Sequence, residues 1–503
     1  MGRVWADRAV IGQVESAQQL HGAEAASSPS ECGGPAYRLA RGTVLAFTIH
    51  VVAAGLSYCA QLSVAHAIGA EGYGIYAYVF AWVTVLAYVS TLGFDVSLMR
   101  FVPVYLAPRA FDLLRGVIQY ARRRAAAVGC GIAFAGVVGV LSWPGELRPD
   151  LANTFLVGFA VVPILSLLWI CAAVVRGFGG VIAALAPDRM VRDGVLLVLV
   201  LLASRGAGWR IDAAFAMVAT LLGSTAGLGL VGLAVRRLRP AAVSGVAPIY
   251  NAPPWRLTAL PLVVISVAEA LMNRTGVMLL GWIVDTRNAG IYALAFNIAL
   301  MVVLPRIAVN ALLAPAISDL FVRNDHGALR AIVTKAASWS LLAATCIALP
   351  LLVLAEPILS LFGQDFVAGV PALRILLIGQ VIAAATGSQL HLMTMTGRER
   401  SAAMQLASSV AVNTALGAAL VSPLGPTGAA VAATTALIGW NAAMGVSIRR
   451  HLRLLPGVLA AWPSRTRRIV SIREDTAKSR TDSLYKRIEG SDSFPSGDCD
   501  PIL

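Results

Sequence analysis

The sequence predicts an all-α, polytopic membrane protein: about twelve transmembrane helices in two homologous six-helix lobes, related as parallel repeats around a central cavity. Three observations carry that prediction. The chain contains about twelve apolar runs, each near the ~20 residues that span a bilayer. Arginines crowd into every second gap between the runs. Landmarks in the first half return in the second at a nearly constant offset.

The runs fall near residues 43–67, 73–98, 120–142, 152–174, 187–204, 213–235, 257–284, 290–313, 333–355, 367–393, 403–422 and 427–448. Composition agrees, because 58% hydrophobic and 13% charged residues leave too little polar surface to coat a soluble globule of 503 residues.

Lys and Arg in short loops are retained on the cytoplasmic side of a membrane, which sets the orientation. One set of gaps carries Arg38 and Arg41, then Arg100, Arg109, Arg115, Arg122, Arg123 and Arg124, then Arg176, Arg189 and Arg192. It continues with Arg236, Arg237, Arg239 and Arg256, then Arg323, Arg330 and Lys335, then Arg398 and Arg400, then Arg449, Arg450 and Arg453. The other set offers Arg148, Arg205, Arg210, Arg287 and, at a helix start, Arg374. Both termini are therefore expected in the cytoplasm, which requires an even number of spans. The net charge of +14 reads as an orientation signal with some attraction to anionic lipid, and not as a nucleic-acid footprint.

Cys59, Cys130, Cys171 and Cys346 sit inside apolar runs without CxxC spacing and read as small buried apolar residues. His50 and His66 share the first run but lie roughly 24 Å apart along a helix, too far to ligate one metal. No metal or cofactor is expected. The first 37 residues lack an apolar stretch behind a basic start, so they read as a disordered cytoplasmic tail and not as a cleavable signal. Residues 456–503 turn polar and Ser-rich, as a second disordered cytoplasmic extension does. Its basic front, Arg465, Arg467 and Arg468 after Trp462, either rests on anionic headgroups or is simply solvated.

The repeat divides what lies between. Gly74-Ile75-Tyr76-Ala77 opens the second run and Gly290-Ile291-Tyr292-Ala293 opens the eighth, 216 positions later. Leu114-Arg115 is echoed by Leu329-Arg330, and Gly177 by Gly397. Six spans per half is an even number, so both halves enter from the same side, as parallel repeats with a site between them near the midplane. The expected organisation is an N-lobe over 38–240, a cytoplasmic linker over 241–256 rich in Arg and Pro, and a C-lobe over 257–455. Two lobes about a shared cavity describe a transporter better than an enzyme. The outward gaps are short and leave no room for an extracellular catalytic domain.

Ile68-Gly69-Ala70-Glu71-Gly72-Tyr73-Gly74-Ile75-Tyr76, Leu92-Gly93-Phe94-Asp95, Leu98-Met99-Arg100-Phe101 and Leu114-Arg115-Gly116 resemble the start of the bacterial polysaccharide flippases. Leu361-Phe362-Gly363-Gln364-Asp365-Phe366 and Thr396-Gly397-Arg398 extend the resemblance into the second half. That family belongs to the multidrug, oligosaccharidyl-lipid and polysaccharide exporter superfamily. The resemblance implies a multi-pass protein of the bacterial inner membrane that moves polyprenyl-diphosphate-linked oligosaccharide to the periplasmic leaflet, for O-antigen (lipopolysaccharide), capsule or exopolysaccharide biosynthesis. Membrane lipids, a polysaccharide polymerase with its export machinery, and a coupling ion (H+ or Na+) are the partners it would imply.

Arg274 lies near the middle of the seventh run, where a cation is costly unless it meets the bundle interior, water or a partner. Glu269 is roughly 140° around and about 7 Å along the same helix, so each should find its partner elsewhere. Asn273 shares the face of Glu269. These read as a polar stripe toward the lobe interface, or alternatively as a structural cluster that never touches substrate. Arg306 follows Pro305 in the eighth run and either lines the cavity from a kinked helix or snorkels to the headgroups. Arg100 reads as snorkelling, and Asp95 as an ion-coupling or structural carboxylate. Gln61, Asn297 and Asn310 are explained by interhelical hydrogen bonds. Gly177, Gly179 and Gly180 lack the Lys-Ser or Lys-Thr of a nucleotide loop, so no nucleotide hydrolysis is expected. The competing functions are a multidrug cation antiporter of the same superfamily, or a membrane-embedded glycan polymerase or ligase.

Overall fold

A computed structural model describes residues 35–452, apart from 144, 146–147, 207–210, 308, 310–325, 388 and 396–397, together with Gly457. Both tails lie outside the described residues, as does Asn310. Every regular element among the described residues is helical.

Helix α1, Pro35–Thr91, carries the first span and most of the second. Gly69 breaks it with φ 69°, ψ −178°, a conformation costly for any residue with a Cβ. The chain folds back there: Tyr73 OH donates to Gln61 Oε1 at 3.0 Å, whereas twelve residues of unbroken helix would separate the two by about 18 Å. A second break at Leu92-Gly93, both with positive φ, starts α2, Phe94–Leu106. Helix α3 (Phe111–Leu141) forms the third span and α4 (Pro149–Gly177), with proline in its first turn, the fourth. The fifth span is interrupted: α5 (Val181–Ala186) passes through a π turn, Pro187–Val191, into α6 (Arg192–Gly206). Helix α7 (Ala213–Leu238) is capped by Asp212, whose carboxylate accepts from Phe215 N at 2.7 Å.

A short helix α8 (Ala242–Gly245) precedes α9 (Ala252–Ile283), the seventh span. Helix α10 (Thr286–Ala299), capped by Asp285, tightens into a 3-10 turn over Leu300–Val303 before helix resumes at 304–307. The eighth span is therefore distorted just ahead of Pro305, where a proline cannot donate to the preceding turn. Helices α11 (His326–Val353), α12 (Ala355–Ser360), α13 (Val370–Thr386), α14 (Gln389–Met395) and α15 (Glu399–Leu452) follow. Gly425, φ 54°, breaks α15 into another hairpin: a Cβ on Gly417 would lie 3.9 Å from that of Ala432, fifteen positions on.

Nine helices among the described residues are long and apolar enough to cross a membrane. Two of these, Thr48–Leu106 and Glu399–His451, are the hairpins just described, and the interrupted fifth span falls outside the nine. The architecture is thus the predicted all-α bundle of about twelve spans in two lobes.

The repeated glycines meet. A Cβ on Gly74 would lie 1.8 Å from Thr286 O, and one on Gly290 would lie 2.7 Å from Gly74 Cα. Positions 216 apart in sequence therefore touch where α1 crosses α10, and the largest buried cluster gathers round that crossing, with Tyr73, Tyr292, Phe362 and Phe366 at its centre. The same offset pairs two salt bridges with their charges exchanged. Glu71 meets Arg148 at 2.7 Å, and Arg287, 216 positions after Glu71, meets Asp365 at 2.6 Å. Both lie at the arginine-poor ends of the spans.

At the opposite, arginine-rich side the 241–256 segment is docked along the first half. Arg115 Nη1 donates to Val246 O at 2.5 Å, Ile249 N to Asp112 O at 3.2 Å, and Arg256 Nε to Tyr120 OH at 2.7 Å. Trp255 is fully buried and donates to Tyr105 OH at 3.0 Å. Arg100, expected to snorkel, instead pairs with Glu399 at the start of α15 and joins the halves on this side. The cysteine expectation needs correction too: Cys171 is buried, but Cys59, Cys130 and Cys346 are exposed, because their apolar runs face outward from the bundle.

Candidate functional site

Helix α9 lies where the halves face each other, packed on α1, α10 and α15. Its polar residues form two groups separated by about a turn and a half. Arg274 projects toward the first half, with its guanidinium 5.6 Å from the centre of the Phe80 ring. Arg192, at the junction of the π turn and α6, sits 5.6 Å from the same ring. Tyr76 stacks on Phe80 at 5.9 Å and donates to or accepts from Thr220 at 3.1 Å. Tyr73, Tyr76 and Tyr88 all lie within electrostatic reach of Arg274.

The two arginines differ in what balances them. Arg192 pairs with Asp193 at 3.0 Å and Asp188 at 3.5 Å, and all three side chains are largely buried. Arg274 forms no ion pair among the described residues. Its balancing groups are aromatic faces and phenol oxygens, which attract a cation weakly and leave its N–H donors uncommitted. A chain of contacts continues behind Arg192, where Trp169 Nε1 donates to Asp188 Oδ1 at 3.3 Å and stacks on Tyr88 at 4.2 Å.

The second group is acidic at its centre. Glu269 is exposed in the middle of α9. Arg306 is an opposite charge and Asp95 a like charge within electrostatic reach of it. Asn273, also exposed, donates back to Glu269 O at 2.8 Å. Asp95 is buried, and its two oxygens accept from Thr91 Oγ1 at 3.0 Å and Ser266 Oγ at 3.1 Å. Because Ser266 is on α9 and Asp95 on α2, this carboxylate ties the halves together. The break at Gly93 permits the approach: a Cβ there would lie 2.4 Å from Ala259 O.

Gln61 and Asn297 hydrogen-bond each other at 2.9 Å across the interface. No cluster of His, Cys, Asp or Glu able to hold a metal occurs among the described residues. Sequence reasoning missed Arg192 with Asp188 and Asp193, counting the arginine as a loop charge. The missed signal was a carboxylate, an arginine and a second carboxylate in the first turns of an apolar run, where charges are rare unless paired.

Two family models, each described as polysaccharide biosynthesis protein, match residues 39–114 and 258–371. The matches begin near equivalent points of the two halves. A comparison with curated proteins finds no match. Among solved structures, an inward-facing multidrug resistance MATE family transporter of the MOP superfamily is similar in fold, with TM-score 0.62 and 13% identity over 80% of this chain and 94% of that one. The lipid II flippase MurJ in an inward closed conformation gives TM-score 0.63 and 15% identity, covering 81% and 87%. An outward-facing multidrug resistance MATE family transporter gives 0.60 and 14%, covering 84% and 96%. The matches to the polysaccharide biosynthesis models, one in each half, on a fold shared with these transporters, bear out the resemblance to a polysaccharide flippase family read from the sequence.

Proposed function

We propose that the protein is an inner-membrane flippase that carries polyprenyl-diphosphate-linked oligosaccharide from the cytoplasmic to the periplasmic leaflet by alternating access, for surface or exported polysaccharide biosynthesis. The observation that carries this reading is Arg274, a cation between the halves with no carboxylate partner among the described residues. A diphosphate supplies the acceptors that its free donors lack, and charge-assisted bonds to an anion are the strong ones. Arg192 stands beside the same ring, and Arg306, on the eighth span within electrostatic reach of Glu269, offers a further cation. The lipid tail stays in the bilayer while the headgroup occupies the cavity.

In this reading the N-lobe comprises 38–240 and the C-lobe 257–455, joined by the 241–256 linker on the cytoplasmic side, with both termini cytoplasmic. Export follows when the halves part at the Gly74–Gly290 crossing and close at the Arg100–Glu399 side. With the cytoplasm negative, each anionic charge moved outward gains about 2.3 kcal/mol per 100 mV. Asp95 and Glu269 are the candidate ion-coupling groups. Of the two, Glu269 is the better placed, because it is exposed while Asp95 is fully hydrogen-bonded.

Deletion of the gene, with polyprenyl-diphosphate-linked sugar measured on the cytoplasmic leaflet, tests the proposal. Accumulation that wild type relieves and Arg274→Ala does not is the expected result. A second reading, a multidrug cation antiporter, is favoured by the acidic pair Asp95 and Glu269. It predicts drug resistance on overexpression and no accumulated lipid-linked sugar.

A further inference from the structure

A groove of about 990 Å³ opens on the outer flank of the first half, between α3, α4 and α7, remote from the interface that holds Arg274. Its walls are apolar, with Leu167, Leu230 and Leu233 along them. Arg122, three turns into α3, and Arg236 and Arg239 at the end of α7 line the same groove. No Asp or Glu lines it, and Arg122 and Arg236 have no carboxylate partner among the described residues. The volume lies at the upper end of small-molecule sites.

We infer that this groove binds one phospholipid with an anionic headgroup, its phosphate on Arg122 and Arg236 and an acyl chain along the leucine wall. Charge complementarity selects that occupant. A zwitterionic lipid brings its own cation to an arginine cluster with no acid to receive it, whereas an anionic phosphate neutralises the cluster. The site belongs to the arginine-rich side of the protein, the side whose basic residues meet the anionic leaflet in the orientation proposed above. Every lining residue belongs to the first half, so the occupant is a resident lipid and not cargo at the lobe interface.

The test is native mass spectrometry of the full-length protein, titrated with phosphatidylglycerol or phosphatidylcholine of identical acyl chains. Wild type is expected to retain phosphatidylglycerol preferentially, by roughly fivefold for each arginine engaged. Arg122→Gln with Arg236→Gln should bring it to the phosphatidylcholine level, while Arg449→Gln with Arg450→Gln should leave the preference intact. Gly229 also lines the groove, and a Cβ there meets nothing within 4 Å. Gly229→Leu therefore places a side chain in the groove, keeps every charge and favours the helix, and it should diminish the retained lipid without unfolding the protein. Equal retention of the two lipids by wild type, or undiminished phosphatidylglycerol in either the double arginine variant or Gly229→Leu, would overturn the inference.

Discussion

Two arginines share the Phe80 ring, and their partners give opposite predictions for the same substitution. Arg274→Ala removes a cation that balances no carboxylate among the described residues, so folding should survive while anion binding fails. Loss of one charge-assisted bond, about 1.5–3 kcal/mol, corresponds to a tenfold to hundredfold slower transport. Arg192→Ala instead strands Asp193 in a largely buried setting and leaves Asp188 only the more distant Arg189 at 3.8 Å, with a cost of about 3–5 kcal/mol. Thermal unfolding in detergent separates the two: the Arg192 variant should melt well below wild type and the Arg274 variant close to it. Arg274 was legible in the sequence because it stands alone in mid-span. Arg192 was not, since Arg189 and Arg192 beside Pro187 look like an ordinary basic gap, and only the folded chain brings Arg192 to a ring 112 positions away.

At the scale of elements, the helices were predictable from apolar length, and their breaks were not. Gly69, Gly93 and Gly425 look like many other glycines in the sequence, yet each adopts positive φ at a reversal or a close approach. The π turn at Pro187–Val191 and the 3-10 turn at Leu300–Val303 likewise depend on packing that no local pattern announces. Gly74 and Gly290 were found as a repeat, but their contact required the fold. Gly74→Ala must displace Thr286 O, and such overpacking costs about 1–3 kcal/mol. Gly131→Ala, in open space within α3, should be neutral or stabilising by about 0.5–1 kcal/mol. Equal melting of these two variants would refute the close crossing of α1 and α10.

For the whole molecule, the ends of the bundle are closed by different means. The exchanged pairs Glu71–Arg148 and Arg287–Asp365 are each more than half exposed and lie within one half. Exposed pairs of this kind contribute at most about 1 kcal/mol, so they staple each lobe without deciding between states. Arg100–Glu399 and Asp95–Ser266 span the halves and do bear on that balance. Glu399→Gln should shift the population toward a state open on the arginine-rich side. In a cysteine-free background, Asn273→Cys should then react faster with a thiol reagent supplied from that side than it does with Glu399 intact; an unchanged rate would remove this pair from gating. Two-lobed organisation was readable from the 216-residue offset, whereas the residues that latch the lobes were not, because Arg100 and Glu399 are 299 positions apart.

The central claim is that Arg274, between the lobes and without an ion pair among the described residues, carries a lipid diphosphate across the membrane. Its most direct test is the transbilayer movement of polyprenyl-diphosphate-linked oligosaccharide in proteoliposomes containing the purified protein. Wild type should accelerate movement well above protein-free vesicles, and Arg274→Ala, with unchanged melting, should be slower by about tenfold or more. Equal rates for the two proteins, or a wild-type rate no faster than lipid alone, would contradict the account.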